Sequence, residues 1–147
     1  YIAKKESPNP IMLRSHIGQR LPAYCTGIGK ALLSSHSKED ISAMYPEPWK
    51  RYTEHTLPDL ESLFRELEET RKTGFAYERA ELTEDICCIA VPLCHQEKVI
   101  AALSVCIPQF RAAEQVLSRI RELLARSRSD AERYFEEFHI YDSSYLF

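Results

Sequence analysis

The chain has 147 residues, 44% of them apolar and 10% aromatic, with a formal charge of -3 mixed over both signs. That is enough for one domain with a real core and too little for two ordinary ones, and the mildly acidic balance offers no attraction to nucleic acid. No apolar run approaches the roughly 18 residues that cross a bilayer, and five cysteines, including the adjacent Cys87 and Cys88, do not make a disulfide framework. Free thiols and a cytoplasmic setting are expected.

In chain order, Tyr1 to Lys5 has strand character and opens abruptly, as a segment cut from a longer chain would. Ser7-Pro8-Asn9-Pro10 predicts a turn and Ile11 to His16 a strand, hence a hairpin-like pair. The central stretch is Pro22 to Ser34, reading PAYCTGIGKALLS. Gly27 and Gly29 free the backbone to turn sharply, and Lys30 to Leu33 reads as the first turns of a helix. Unpaired N–H groups and a positive dipole end at such a start would seat a carboxylate or phosphate; the plainer alternative is a strand-to-helix turn that binds nothing.

Ser37 caps a second short helix, Lys38 to Tyr45, with Asp40 suiting its positive end, and Pro46 and Pro48 stop it. Trp49 to Leu57 has no period and reads as a loop over a site or over the core, with Trp49 and Tyr52 as either a lid or packed anchors. Pro58-Asp59 opens a helix carrying Leu60, Leu63, Phe64 and Leu67 on one stripe, closed by Lys72 and Gly74. Phe75 to Glu81 is extended. Ile86 to Cys94 and Val99 to Ile107 form central strands of a hairpin joined by His95-Gln96-Glu97-Lys98. Ala113 to Phe138 is amphipathic at helical spacing, as one helix or as two with a bend near Ser127 to Ser129. The tail after His139 lacks any period and is expected to be disordered.

Strand parity places Ala102, Ser104 and Cys106 on one face and Leu103, Val105 and Ile107 on the other; in the partner strand Cys88 and Ala90 oppose Cys87, Ile89 and Val91. The small-residue face suits either a pocket or close helix packing. Cys87, Cys88, Cys94 and Cys106 lack zinc spacing, and no metal is expected. A catalytic thiol would be Cys25 or Cys88, with His95 or His55 as base. Glu78, Glu81, Glu84 and Asp85 read as solvated surface, with the alternative that Glu78 accepts hydrogen bonds from the hydroxyls of a ligand.

Gly18-Gln19-Arg20-Leu21-Pro22, followed by Gly29-Lys30-Ala31-Leu32-Leu33, resembles the "G-x-R-x-P … GKALL" signature of the IclR family of bacterial transcription regulators. Thr56-Leu57, Gly74-Phe75-Ala76, Cys88-Ile89-Ala90-Val91-Pro92 and Ala101-Ala102-Leu103-Ser104-Val105 resemble its later landmarks in order, and the resemblance covers Tyr1 to about Phe138. It implies an α/β (α+β), GAF-like effector-binding domain over residues 1–138: an antiparallel sheet flanked by helices, a long C-terminal helix, and a tail at 139–147. It also implies a DNA-binding winged helix outside this chain, a homo-dimer or tetramer, no cofactor, and a small carboxylate effector such as a sugar acid or keto acid.

Carried over residue by residue, the implied effector-binding positions are Gly27, Ile28, Glu78, Cys88, Ser104 and Cys106, under a lid of Trp49 and Tyr52. Cys106 stands where the family often has serine, and Glu78-Arg79-Ala80-Glu81 departs from its "D-x-E-E" run, changes that bear on which ligand is bound. The opening residues and Arg14 to Gly18 are similar to members that answer sugar acids such as 2-keto-3-deoxygluconate. Rival readings are a thiol enzyme using Cys88 and Cys106, and a dimerisation module with no ligand.

Overall fold

The computed structural model describes residues 1–6 and 15–141. The turn at Ser7 to Pro10, most of the strand expected over Ile11 to His16, and the tail beyond 141 lie outside the described residues. Tyr1 to Glu6 is not a strand, although the Tyr1 amino group donates to the Gln19 carbonyl at 3.1 Å and Gly18 N–H to the Tyr1 carbonyl at 2.8 Å.

The elements run α1 (Gly27–Leu33), α2 (Lys38–Met44), α3 (Leu60–Thr73), β1 (Ala76–Arg79), β2 (Ile86–His95), β3 (Lys98–Pro108) and α4 (Glu114–Glu137). The strands form an antiparallel sheet in the order β1-β2-β3. Ser37 and Asp40 make a reciprocal capping box on α2, and Asp59 caps α3 by accepting from Ser62 N–H. Gly74 ends α3 in the left-handed conformation at φ 78°, which a side chain would disfavour. The predicted amphipathic stretch is one continuous helix, without a break at Ser127 to Ser129.

One detail of the hairpin was hidden from the sequence. Gln96 and Glu97 alone form the turn, both at positive φ (48° and 65°), the backbone that a two-residue hairpin turn requires. Neither residue is one that favours it.

The sheet's two faces differ as parity predicts. Ile89, Val91 and Leu93 join Ile100 and the inward stripe of α4, Ile120, Leu124 and Phe135, in one core cluster. On the other face Ala76, Ala90 and Ala102 receive Ala31 of α1. Behind α1 a second core unites Tyr24, Ile41, Trp49, Leu63 and Leu67. Trp49 stacks on Tyr24 at 4.7 Å and donates through Nε1 to the Tyr45 carbonyl at 2.8 Å. It is therefore a packed anchor and not a lid.

The glycines of the central stretch do not make a turn. Both lie inside α1, whose cap is Thr26, its Oγ1 accepting from Gly29 N–H at 3.1 Å. A Cβ on Gly29 would fall 2.3 Å from Ala23, and one on Gly27 would fall 3.2 Å from the Cys88 Cβ. Their use is the close approach of α1 to its neighbours.

Hydrogen-bond phase follows from two contacts beyond the strand ends. Gln109 N–H donates to the Asp85 carbonyl and Ala80 N–H to the Ile86 carbonyl. Propagated through the register, these put Cys88 and Pro92 of β2 at non-hydrogen-bonded positions opposite β3. Proline lacks an N–H, and pairing with β1 ends at Ala76 and Ala90, so Pro92 costs the ladder nothing.

α1 is tied to the sheet by Lys30, which is fully buried. Its Nζ lies 2.6 Å from Glu81 Oε1, 2.6 Å from Glu66 Oε2 of α3 and 3.1 Å from the Tyr77 carbonyl. Removing one partner of a buried pair strands the other charge, typically at about 3–5 kcal/mol. Lys30→Ala should destabilise the domain by that order in urea denaturation, and the double change Lys30→Met with Glu81→Gln should recover a large part of the loss; a change below roughly 1 kcal/mol in the single variant would contradict this account.

Candidate functional site

Between α1 and the small-residue face of the sheet opens a cavity of about 210 Å³. Gly27, Ile28, Glu78, Cys88, Ser104 and Cys106 all line it, joined by Tyr1, Gln19, Leu21, Cys25, Thr26 and Thr83 among others. Neither Trp49 nor Tyr52 does. The same alternation that packs Ala90 and Ala102 tightly against α1 brings Cys88, Ser104 and Cys106 to the cavity wall, so close packing and open space occupy successive stretches of one face.

The wall offers backbone and hydroxyl donors. Neither Gly27 N–H nor Ile28 N–H has an acceptor among the described residues, while Thr26 and Gly29 N–H groups are used in capping. Among the described residues no lysine, arginine or histidine side chain lines the cavity. Lys30, only three residues beyond Gly27, is committed to its carboxylates.

Glu78 and Glu81 are not the solvated surface expected of them. They are 3% and 2% exposed, whereas Glu84 and Asp85 are open to solvent. Glu78 Oε1 accepts from Glu81 N–H at 2.6 Å and Leu82 N–H at 3.3 Å, which fixes the carboxyl at the cavity edge. Burial pushes this carboxyl above its usual range, against the opposing pull of hydrogen bonds with Cys88, Glu81 and Leu82. Burial also raises Glu81, opposed by Lys30. Thr56, buried in the loop before α3, donates to the Glu81 carbonyl at 2.7 Å and accepts from Tyr52 and Thr53 N–H, holding that corner.

The thiols differ sharply. Cys25 is pushed up to about 12 by burial and is inert as a nucleophile. Cys88 is raised by its hydrogen bond with Cys106 and by burial, and the same bond draws Cys106 below its ordinary value. Ser104 Oγ lies 4.0 Å from the Cys106 sulfur. The imidazoles considered as bases are elsewhere: His55 is exposed, and His95 sits at the far end of the hairpin beside Lys98. The structure does not pair a thiol with either imidazole, although it does bring Cys88 and Cys106 together. All five cysteines are unbridged, and no cluster of three or more metal-ligating side chains occurs among the described residues.

Sequence reasoning missed Tyr1, Thr26 and Thr83 as wall residues and Lys30 as a buried ion. A threonine directly before Gly27 was a legible cap signal. Nothing local marked Lys30, whose partners are 36 and 51 residues away.

The model of the family "Bacterial transcriptional regulator IclR C-terminal" matches residues 1–132. The chain is 32% identical over 144 residues to the HTH-type transcriptional regulator KdgR of Escherichia coli K12, covering 97% of this chain and 54% of that protein. It is 33% identical over 129 residues to XynR of the same organism, covering 86% and 51%. The chain thus spans about half the length of the curated relatives it matches. Among solved structures, the C-terminal domain of Escherichia coli KdgR aligns with TM-score 0.72 and 31% identity over 80% of this chain and 73% of that one. The inducer-binding domain of PobR from Acinetobacter, a double mutant in complex with 3-hydroxybenzoic acid, aligns with TM-score 0.75 and 28% identity over 84% and 73%. The chain belongs to the IclR C-terminal family, the effector-binding domains of bacterial transcriptional regulators. No helix among the described residues is long and apolar enough to cross a membrane.

The raised carboxyls carry a pH signature. A carboxyl whose folded pKa lies above its unfolded value of 4.5 contributes stability that is full below that value and lost as pH rises through the folded pKa, because the native state then holds the proton more tightly. Urea denaturation at stepped pH should show stability falling above 4.5, and Glu78→Gln should flatten the fall. A slope unchanged by Glu78→Gln would mean that Glu78 does not titrate abnormally.

Proposed function

We propose that this domain senses a small carboxylic acid bearing hydroxyl or keto oxygens, a sugar acid or keto acid, and that the cavity between α1 and the sheet is its site. The observation that carries the reading is the wall itself, which combines unpaired Gly27 and Ile28 N–H groups with the Ser104 hydroxyl and the Glu78 carboxyl. Backbone donors at a helix start suit a carboxylate, and a side-chain carboxyl suits a ligand hydroxyl. The volume, about 210 Å³, lies below the roughly 300 Å³ at which drug-sized sites begin, which favours a small metabolite. The PobR relative, solved with a hydroxylated aromatic acid, supports the same chemical class.

Occupancy acts on DNA binding by a separate domain of the full-length regulator, in the cytoplasm, by favouring one arrangement of subunits over another. Phe110, Tyr134 and Phe138, all more than half exposed, are suited to a dimer or larger assembly. The domain is a binding module that does not consume its ligand.

A thermal-shift panel of sugar acids and keto acids tests this. At a hundred times its dissociation constant a ligand adds about 2.7 kcal/mol of stability, readily seen as a raised Tm. A bound acid should lose affinity on Ser104→Ala by about fivefold or more, the worth of one hydrogen bond. Silence across the panel, or a hit indifferent to both Ser104→Ala and Glu78→Gln, would dismiss the reading.

A further inference from the structure

We infer that Cys88 and Cys106 form a redox-active dithiol on the cavity wall, a site that small disulfides oxidise to a cross-strand bridge. The two residues are direct partners in the β2–β3 register. The hydrogen-bond phase set by Gln109 and Asp85 makes theirs a non-hydrogen-bonded pair, the type in which Cα atoms lie about 4.5 Å apart and side chains are closest. That separation falls inside the span of about 4.4 to 6.8 Å that a disulfide requires. Both side chains are on the same face, both line the cavity, and both are partly exposed, so a small reagent reaches them through the opening.

The other cysteines lack this combination. Cys25 is fully buried, Cys87 turns to the opposite face and donates to the Ile107 carbonyl, and Cys94 stands opposite Val99.

The chemistry takes two exchange steps. One thiol of the pair, as its thiolate, displaces one thiolate from a low-molecular-weight disulfide and is left as a mixed disulfide. The other thiol then gives up its proton, with the Glu78 carboxyl on the same wall as an acceptor, and attacks the capped sulfur to expel the second thiolate. Two protein thiols and one small disulfide become one protein disulfide and two small thiols, so electrons and protons balance. Closing the bridge removes two donors from the cavity wall and takes from Glu78 its thiol partner. The oxidised domain has a different binding surface, whatever the effector is.

The test treats the folded, reduced chain with oxidised glutathione, counts thiols in denaturant and maps peptides. Two of the five thiols should disappear without retained glutathione, and the Cys88 and Cys106 peptides should be joined until dithiothreitol separates them. Cys88→Ser and Cys106→Ser should each form no bridge and retain glutathione on the remaining thiol of the pair. Five surviving thiols, a bridge between another pair, or adducts spread equally over Cys25, Cys87 and Cys94 would overturn the assignment. Mapping the unsubstituted chain gives the answer even where a variant folds poorly.

Discussion

The structure depends on a lysine that has no access to water. Lys30 emerges from α1 and ends between Glu81, Glu66 and the Tyr77 carbonyl, so a single ammonium joins α1, α3, β1 and the bend that follows β1. An ammonium withdrawn from solvent is tolerable only if its protons are matched, and three acceptors at 2.6 to 3.1 Å match them. The position of α1 over the sheet is thereby set from its far side, away from the cavity.

That placement bears on the site. Glu81, which receives Lys30, also directs its own N–H to Glu78, and Glu78 faces the cavity. Thr53 and Thr56 clamp the carbonyls of Ala80 and Glu81, and Ala80 adopts a left-handed backbone at φ 57°. A bend under so many restraints presents the Glu78 carboxyl to the cavity in one orientation. The solved KdgR domain has a similar fold, and the positions implied by family resemblance line one cavity of this chain.

The small side chains serve two purposes that the sequence reading kept as alternatives. Gly27, Gly29, Ala31 and Ala90 let α1 approach within contact distance, and beside that contact Cys88, Ser104 and Cys106 leave a volume unfilled. The glycines were read as a source of backbone freedom. The structure uses them for the side chain they lack, a distinction invisible without knowing what stands opposite.

What the sequence determined by itself is whatever depends on neighbours a few residues apart. The caps at Ser37 and Asp59, the stop at Gly74, the stripe of α3 and the parity of β2 and β3 are local physics, and they are where the sequence places them. Family landmarks added the cavity residues, since spacing alone could not bring Gly27, Glu78 and Ser104 together. Only the tertiary structure decided the fate of Lys30, the burial of Glu78 and Glu81, the anchoring of Trp49 against Tyr24, and the meeting of Cys88 with Cys106. Each rests on contacts between distant segments, and the free energy of a buried charge or a paired thiol is set by the partner that folding supplies, not by the residue type.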